Sequence, residues 1–194
     1  ATTEIYTLTL HDALPISLVE LSTATLLTLQ FHFFGFVLAF LFFGLLTLVL
    51  VAMTMIDYDL QIIPDELNLL LLILGVVYLL VVRLPEAGLR GLLPHAIGFF
   101  IGGGLFFAIA VLSGGGMGGG DVKLMAVMGL WFGWQQLLVL MLLSFVSGAV
   151  ISLFLLATKI KGRKDAIPFG PFIALAAYLT SLFGPAILHW YPYF

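Results

Sequence analysis

Long apolar stretches separated by short polar breaks run through this chain of 194 residues. A membrane-spanning helix needs roughly 20 mostly apolar residues, and several of the stretches approach that length. The apolar stretches cover residues 19–31, 34–56, 67–82, 96–112, 122–134, 137–158 and 169–190. The stretch 122–134 is short, because a helix of its length rises only about 20 Å. The pattern predicts an all-α fold, a polytopic membrane helical bundle with about six to seven membrane segments.

Composition agrees with this prediction. Hydrophobic residues make up 62% of the chain and charged residues 9%, whereas soluble domains carry about 25% charged residues. The lipid bilayer is therefore an expected partner, and the lack of a basic stripe excludes nucleic acid. The lack of cysteine excludes disulfides, thiolate metal sites and thiol catalysis. No metal site is expected either, because the histidines show no metal-ligand spacing; they are His11, His32, His95 and His189.

The first residues differ from the rest of the chain. Residues 6–17 have neither a basic n-region nor an apolar h-region, so they indicate neither a signal peptide nor a helix. They closely resemble the conceptual translation of a common sequencing-library adapter. We therefore expect residues 1–17 to be non-native and the natural chain to be truncated there, although a short natural arm is the alternative. Residues 18–194 then form one membrane-embedded domain.

Basic residues predict the orientation of the bundle. The densest positive loop is expected on the cytoplasmic side; it contains Lys159, Lys161, Arg163 and Lys164. If the stretches 122–134 and 137–158 form a hairpin, and 67–82 and 96–112 form another, two more polar segments share that side. These are residues 57–65 and 113–121. The bilayer itself would thus bring the acids together.

Asp121 ends the most unusual run of the chain. Six of the nine residues 113–121 are glycine, and the run lies between two apolar stretches. An ionisable residue at membrane level is costly and marks function by default. Glycine allows positive φ and a close approach of the backbone to a ligand. The run therefore predicts an acid presented on a collar without side chains.

Asp57 and Asp121 are the candidate catalytic pair. Two carboxylates at close range cannot both ionise cheaply, so one holds a proton while the other does not. In that state the anion can take a proton from water while the acid hydrogen-bonds a peptide carbonyl. The alternative is that both residues cap helices, with Asp121 capping the stretch 122–134.

Other polar residues near this pair have simpler interpretations. Asp65 follows Pro64 and precedes Glu66 and an apolar stretch, which predicts a helix N-cap. Asp59 is expected to be a solvated loop residue, and Lys123 to extend towards the membrane interface.

Glycines and prolines are the candidate substrate-binding residues. Residues 167–171 form a rigid break, either a helix start with proline in its first turn or a wall for an extended substrate. An extended peptide can bond to exposed backbone only where no side chain intervenes. We therefore expect substrate contacts at Gly118, Gly120, Pro168 and Gly170.

Four blocks of this sequence, in order, resemble the type IV prepilin peptidases, which are integral membrane aspartic proteases. Gly118-Gly119-Gly120-Asp121 is similar to their Gly-X-Gly-Asp signature. Ile56-Asp57 with Ile63-Pro64-Asp65 resembles their first aspartate segment, and residues 166–172 their C-terminal signature. Residues 19–21 resemble the segment ahead of the central helices.

The resemblance implies that Asp57 and Asp121 cleave the basic leader of type IV prepilins or pseudopilins, without a cofactor. It implies a multi-pass protein of the bacterial inner (plasma) membrane with its active site toward the cytoplasm. Full-length members usually carry paired Cys-X-X-Cys motifs, and many also N-methylate the product with S-adenosylmethionine. This chain has no cysteine, so N-methyltransferase activity is doubtful here.

Two other functions remain open on the residues alone. Asp57, Asp59 and Asp121 could hold Mg²⁺ against a lipid-linked phosphate in a membrane transferase, since magnesium binds carboxylates together with substrate phosphate. A non-enzymatic transporter with an acid relay is the other alternative. A chelator separates the first from an aspartic protease, and the absence of prepilin cleavage identifies the second.

Overall fold

A computed structural model describes residues 2–35, 37–114, 116–160, 162 and 167–190. Within these residues the chain forms helices and no strand, which confirms the all-α prediction. The helices are α1 (Thr2–Phe34), α2 (Leu38–Leu60), α3 (Asp65–Tyr78), α4 (Leu84–Leu112), α5 (Gly119–Ala157) and α6 (Gly170–Trp190). A π-helical turn, Leu79–Arg83, joins α3 to α4 without a break.

Four helices of the described chain are long and apolar enough to cross a membrane, slightly fewer than the six to seven segments that the sequence predicts. They are Leu38–Leu60, Asp65–Leu112, Gly119–Ala157 and Gly170–His189. The count is lower because two of these helices each contain two apolar stretches of the sequence, joined at a glycine where the backbone is not helical. Residues 83–90 lie within the second of these helices, and residues 135–136 lie within the third.

The third of these helices, α5, reverses its direction at a glycine. Gly133 has φ 73° and ψ 164°, which is not a helical conformation. Met125 and Leu137 both lie against Gly102 of α4, whereas a continuous helix would separate them by about 18 Å. The halves of α5, residues 119–132 and 134–157, are therefore antiparallel.

A second reversal occurs at Gly88, which has φ 63° and ψ −168°. Arg83 before it and His95 after it approach to 3.4 Å, although a continuous helix would again separate them by about 18 Å. The two hairpins bring the end of α2 and the starts of α3, α5 and α6 to one end of the bundle, which we call the site end. Gly88 and Gly133 lie at the opposite end.

Small residues and one tryptophan hold the hairpins together. Gly98 and Gly129 bring two backbones so close that a Cβ on either would collide with the carbonyl of the other. Trp131 is 1% exposed, donates from Nε1 to the carbonyl of Leu71 at 2.9 Å and stacks on Tyr78. Such contacts matter because apolar surface is not driven out of lipid as it is out of water.

Polar contacts attach α1 to the bundle. Gln30 is fully buried; its Oε1 accepts a hydrogen bond from Thr47 of α2, and its Nε2 donates to Ser181 of α6. The helix α1 also contains residues 2–17, where the sequence indicated no helix, so that prediction is wrong. The first apolar stretch, 19–31, lies in α1 and not in one of the four candidate spans.

Candidate active site

Asp57 lies in the last turn of α2 and is 5% exposed. The helix ends because Gln61 adopts a left-handed conformation, φ 54° and ψ 38°, while its N–H still bonds to the carbonyl of Asp57 at 2.9 Å. One carboxylate oxygen of Asp57, Oδ2, accepts a 2.9 Å hydrogen bond from the backbone N–H of Gly170. The side chain is thus held between the end of α2 and the start of α6.

Asp121 lies in the first turn of α5 and is 9% exposed. Gly118, in an extended conformation with φ −70° and ψ 144°, occupies the N-cap position. The Asp121 carboxylate reaches back to the backbone of Gly118, as an acid at the third helical position does in a capping box. Its Oδ1 is buried without a hydrogen-bond partner. Capping therefore occupies only one of the two oxygens.

The two carboxylates face one cavity of about 310 Å³ at the site end. Its lining residues are Asp57, Gln61, Gly116, Met117, Gly118, Asp121, Ile167, Pro168 and Phe169. The acids come from different helices, Asp57 from the last turn of α2 and Asp121 from the first turn of α5. In this arrangement a water molecule and a bound group between the two carboxylates can contact both of them.

The four candidate substrate-binding residues occupy different positions. Gly118 and Pro168 line the cavity. Gly170 lies behind Asp57, where a Cβ would come within 2.6 Å of Asp57 Oδ2. Gly120 packs on Ile63, and a Cβ there would lie 2.7 Å from the Cβ of that residue. Gly120 therefore packs α5 against the segment that joins α2 to α3, and it is not among the lining residues of the cavity.

Asp65 does not act as an N-cap, so that prediction is wrong. Pro64 occupies the N-cap position of α3 without a side-chain cap. Lys123 Nζ instead contacts both carboxylate oxygens of Asp65 at 2.7 Å. This ion pair joins the starts of α3 and α5, and it replaces the predicted extension of Lys123 towards the interface. The sequence analysis had placed both segments on the same side of the membrane, so their opposite charges could have predicted this ion pair.

Sequence reasoning also missed Asn68. This side chain is 4% exposed and its Nδ2 donates to the carbonyl of Gly120 at 3.5 Å. It therefore links α3 to the residue that precedes Asp121. A single amide in the apolar stretch 67–82 was the signal that could have identified it.

Asp59 lies apart from the pair. It is exposed and belongs to the last turn of α2, not to a loop. Two residues along an α-helix correspond to a rotation of about 200°, so Asp59 points away from the face of Asp57. Within the described ranges, no three His, Asp or Glu side chains are grouped as metal ligands. The trio Asp57, Asp59 and Asp121 is thus not assembled.

The loops at the site end are only partly described. In the glycine run, Gly114 has φ 63°, and the N–H of Gly116 donates to Ser113 Oγ at 3.1 Å. Lys159 of the basic loop is exposed. The other basic residues of that loop, Lys161, Arg163 and Lys164, lie outside the described residues.

Comparison with known proteins gives a consistent result. The model of the type IV leader peptidase family matches residues 44–153, a span that includes both aspartates. The chain is 38% identical over 148 residues to the prepilin leader peptidase/N-methyltransferase of Aeromonas salmonicida, covering 76% of this chain and 50% of the relative. Proteins of the same name from Legionella pneumophila and Pseudomonas aeruginosa are 36% and 37% identical, over 88% and 90% of this chain and 59% and 60% of theirs.

The chain therefore spans about half the length of the curated relatives that it matches. No solved structure gives a significant match.

Proposed function

The chain belongs to the type IV leader peptidase family, and on that premise we propose that it is a membrane aspartic endopeptidase. Its substrates are type IV prepilins or pseudopilins, from which it removes the basic leader. One observation carries the proposal: Asp57 and Asp121, buried on separate helices, line the same cavity. Buried carboxylates that share a cavity are the arrangement that aspartic proteases use.

The reaction needs one proton shared by the pair. The ionised carboxylate removes a proton from a water molecule, whose oxygen attacks the peptide carbonyl carbon. The protonated carboxyl hydrogen-bonds the carbonyl oxygen and stabilises the negative charge that develops there. The proton taken from water then passes to the leaving nitrogen as the C–N bond breaks. Gly170 supports this chemistry by fixing the orientation of Asp57 through its N–H.

The substrate lies extended at the site end in this proposal. Gly118 exposes backbone at the cavity wall and Pro168 forms part of the same lining, so a peptide strand can approach closely. The site end faces the cytoplasm of a bacterial cell, where the basic leader of the substrate is found. The names of the relatives also include an N-methyltransferase, and the aspartate pair supports the peptidase part of those names.

A cleavage assay in membranes tests the proposal. A prepilin is incubated with membranes that contain the chain, and the shortened product is measured. We expect Asp57→Asn and Asp121→Asn each to abolish cleavage, because each removes one partner of the shared proton. Asp59→Asn is the matched control, since it changes an exposed acid on the same helix, and it should retain most activity.

A chelator arm separates the alternatives. Cleavage that persists with a chelator agrees with an aspartic protease, whereas loss that magnesium restores indicates the transferase-like metal site. Activity in Asp57→Asn at wild-type protein level would falsify the assignment of the pair. A complete lack of prepilin cleavage, with the protein inserted and folded, would favour the acid-relay transporter.

A further inference from the structure

A second polar cavity lies at the other end of the bundle, beside the reversal at Gly88. It has a volume of about 220 Å³, and its polar lining residues are Arg83, Glu86, His95, Gln136 and Ser181. Aromatic rings, including those of Tyr78 and Trp131, form an apolar wall. The cavity is remote from Asp57 and Asp121, so the proposed cleavage does not use it.

His95 fixes the charge of this cavity. The side chain is 4% exposed, and its Nδ1 lies 2.9 Å from the carbonyl of Leu130. A carbonyl only accepts, so Nδ1 carries the proton and donates. The other nitrogen, Nε2, then accepts from Arg83 Nε at 3.4 Å. Both ring nitrogens have fixed roles, and they correspond to a neutral imidazole.

Arg83 and Glu86 supply one positive and one negative charge at the mouth. Arg83 Nη1 lies 3.4 Å from Glu86 Oε2, and their side chains are 40% and 58% exposed. The formal charges of the cavity therefore sum to zero. As an ion pair alone, two such exposed side chains contribute little to stability. Their free hydrogen-bonding groups remain available to a ligand that carries both charges.

We propose that this cavity binds the headgroup of phosphatidylethanolamine, with its phosphate on Arg83 and its ammonium group on Glu86. A guanidinium suits a phosphate because it donates two parallel hydrogen bonds. An anionic headgroup without an ammonium group would leave the Glu86 carboxylate without a positive partner in the ligand. The cavity is also smaller than the ~300–1,000 Å³ pockets of drug-sized ligands, which agrees with a headgroup alone.

The position of the cavity favours a lipid as the source of this chemistry. The apolar helix Asp65–Leu112 reverses its direction at Gly88. Arg83 lies five residues before this reversal, near the end of the first half of the helix. The ends of spanning helices lie at the level of lipid headgroups. The cavity therefore lies where a lipid headgroup can reach Arg83 and Glu86.

Lipid retention measured by native mass spectrometry tests the proposal. The full chain is purified, delipidated and titrated with phosphatidylethanolamine or with phosphatidylglycerol of the same acyl chains. We expect stronger retention of phosphatidylethanolamine, and a loss of about tenfold for Arg83→Gln and for Glu86→Gln, which each remove one charge-assisted hydrogen bond. Arg90→Gln removes an exposed charge that does not line the cavity, and it should bind as the wild type does.

The outcomes are decisive in both directions. Equal or stronger retention of phosphatidylglycerol by the wild type overturns the proposal, as does a Glu86→Gln protein that binds like Arg90→Gln. Glu86 is exposed, so Glu86→Gln remains informative even if Arg83→Gln, which deprives His95 of its donor, does not fold. Asp57→Asn should keep full lipid retention, because the proposal does not depend on cleavage.

Discussion

The backbone N–H of Gly170 donates a 2.9 Å hydrogen bond to Oδ2 of Asp57. The bond joins the first residue of α6 to the last turn of α2, and it is buried. The site needs glycine here for space, because a Cβ would lie 2.6 Å from the same oxygen. The position of the Asp57 carboxylate thus depends on a residue that is distant in sequence.

Gly170→Ala should therefore impair cleavage without preventing folding. The added methyl group displaces the Asp57 carboxylate, and a misplacement of about 1 Å at a reacting group can cost about 100-fold in rate. Prepilin cleavage is measured at matched protein levels. Gly119→Ala is the control, since a Cβ there meets no atom within 4 Å; similar rates for the two variants would contradict the prediction.

Gly118 and Gly120 should respond differently to valine. Gly118→Val adds bulk at the cavity lining, so we expect reduced cleavage with normal protein level in the membrane. Gly120→Val collides with Ile63 of the neighbouring segment, so we expect a lower level of folded protein. Protein level is measured by immunoblotting alongside cleavage. Full cleavage by Gly118→Val would show that Gly118 only links two segments and does not contact the substrate.

The ion pair of Lys123 and Asp65 should contribute little to stability. Their side chains are 56% and 67% exposed, and exposed pairs contribute at most about 1 kcal/mol. Asp65→Asn and Lys123→Met are each expected to lower the melting temperature slightly, with a smaller effect at high salt. A double-mutant cycle measures the coupling energy; a coupling of several kcal/mol would show that the pair is a main support of the site.

Gly133→Ala should destabilise the bundle. At φ 73° and ψ 164°, a residue with a Cβ is strained by about 1–3 kcal/mol. Denaturation in detergent measures the loss of stability. Gly104→Ala provides the comparison, because this helical glycine has open space around it, and alanine there should be neutral or stabilising by up to about 1 kcal/mol. Equal stability of the two variants would contradict the assigned conformation.

Sequence patterns were sufficient for the helical class and for the shared face of the acids. Apolar stretches and the need for about 20 residues per span gave most of the helices, and alternation across the bilayer placed Asp57 and Asp121 together. The patterns did not reveal that residues 83–90 are helical except for the reversal at Gly88, because polar residues predict a break but not its length. The sequence patterns also missed the hydrogen bonds of Gly170 with Asp57 and of Asn68 with Gly120, since contacts between distant segments leave no periodic signal in the sequence.

The reversals at Gly88 and Gly133 make the two ends of the bundle differ in how readily the chain length between helices can change. At the site end, helices are joined by stretches of several residues, such as 61–64 and 113–118. At the opposite end, each hairpin turns at one glycine, where an inserted residue would have to unwind a helix on either side. Substrate preference can therefore change through the joining stretches at the site end, whereas these two turns permit almost no variation in length.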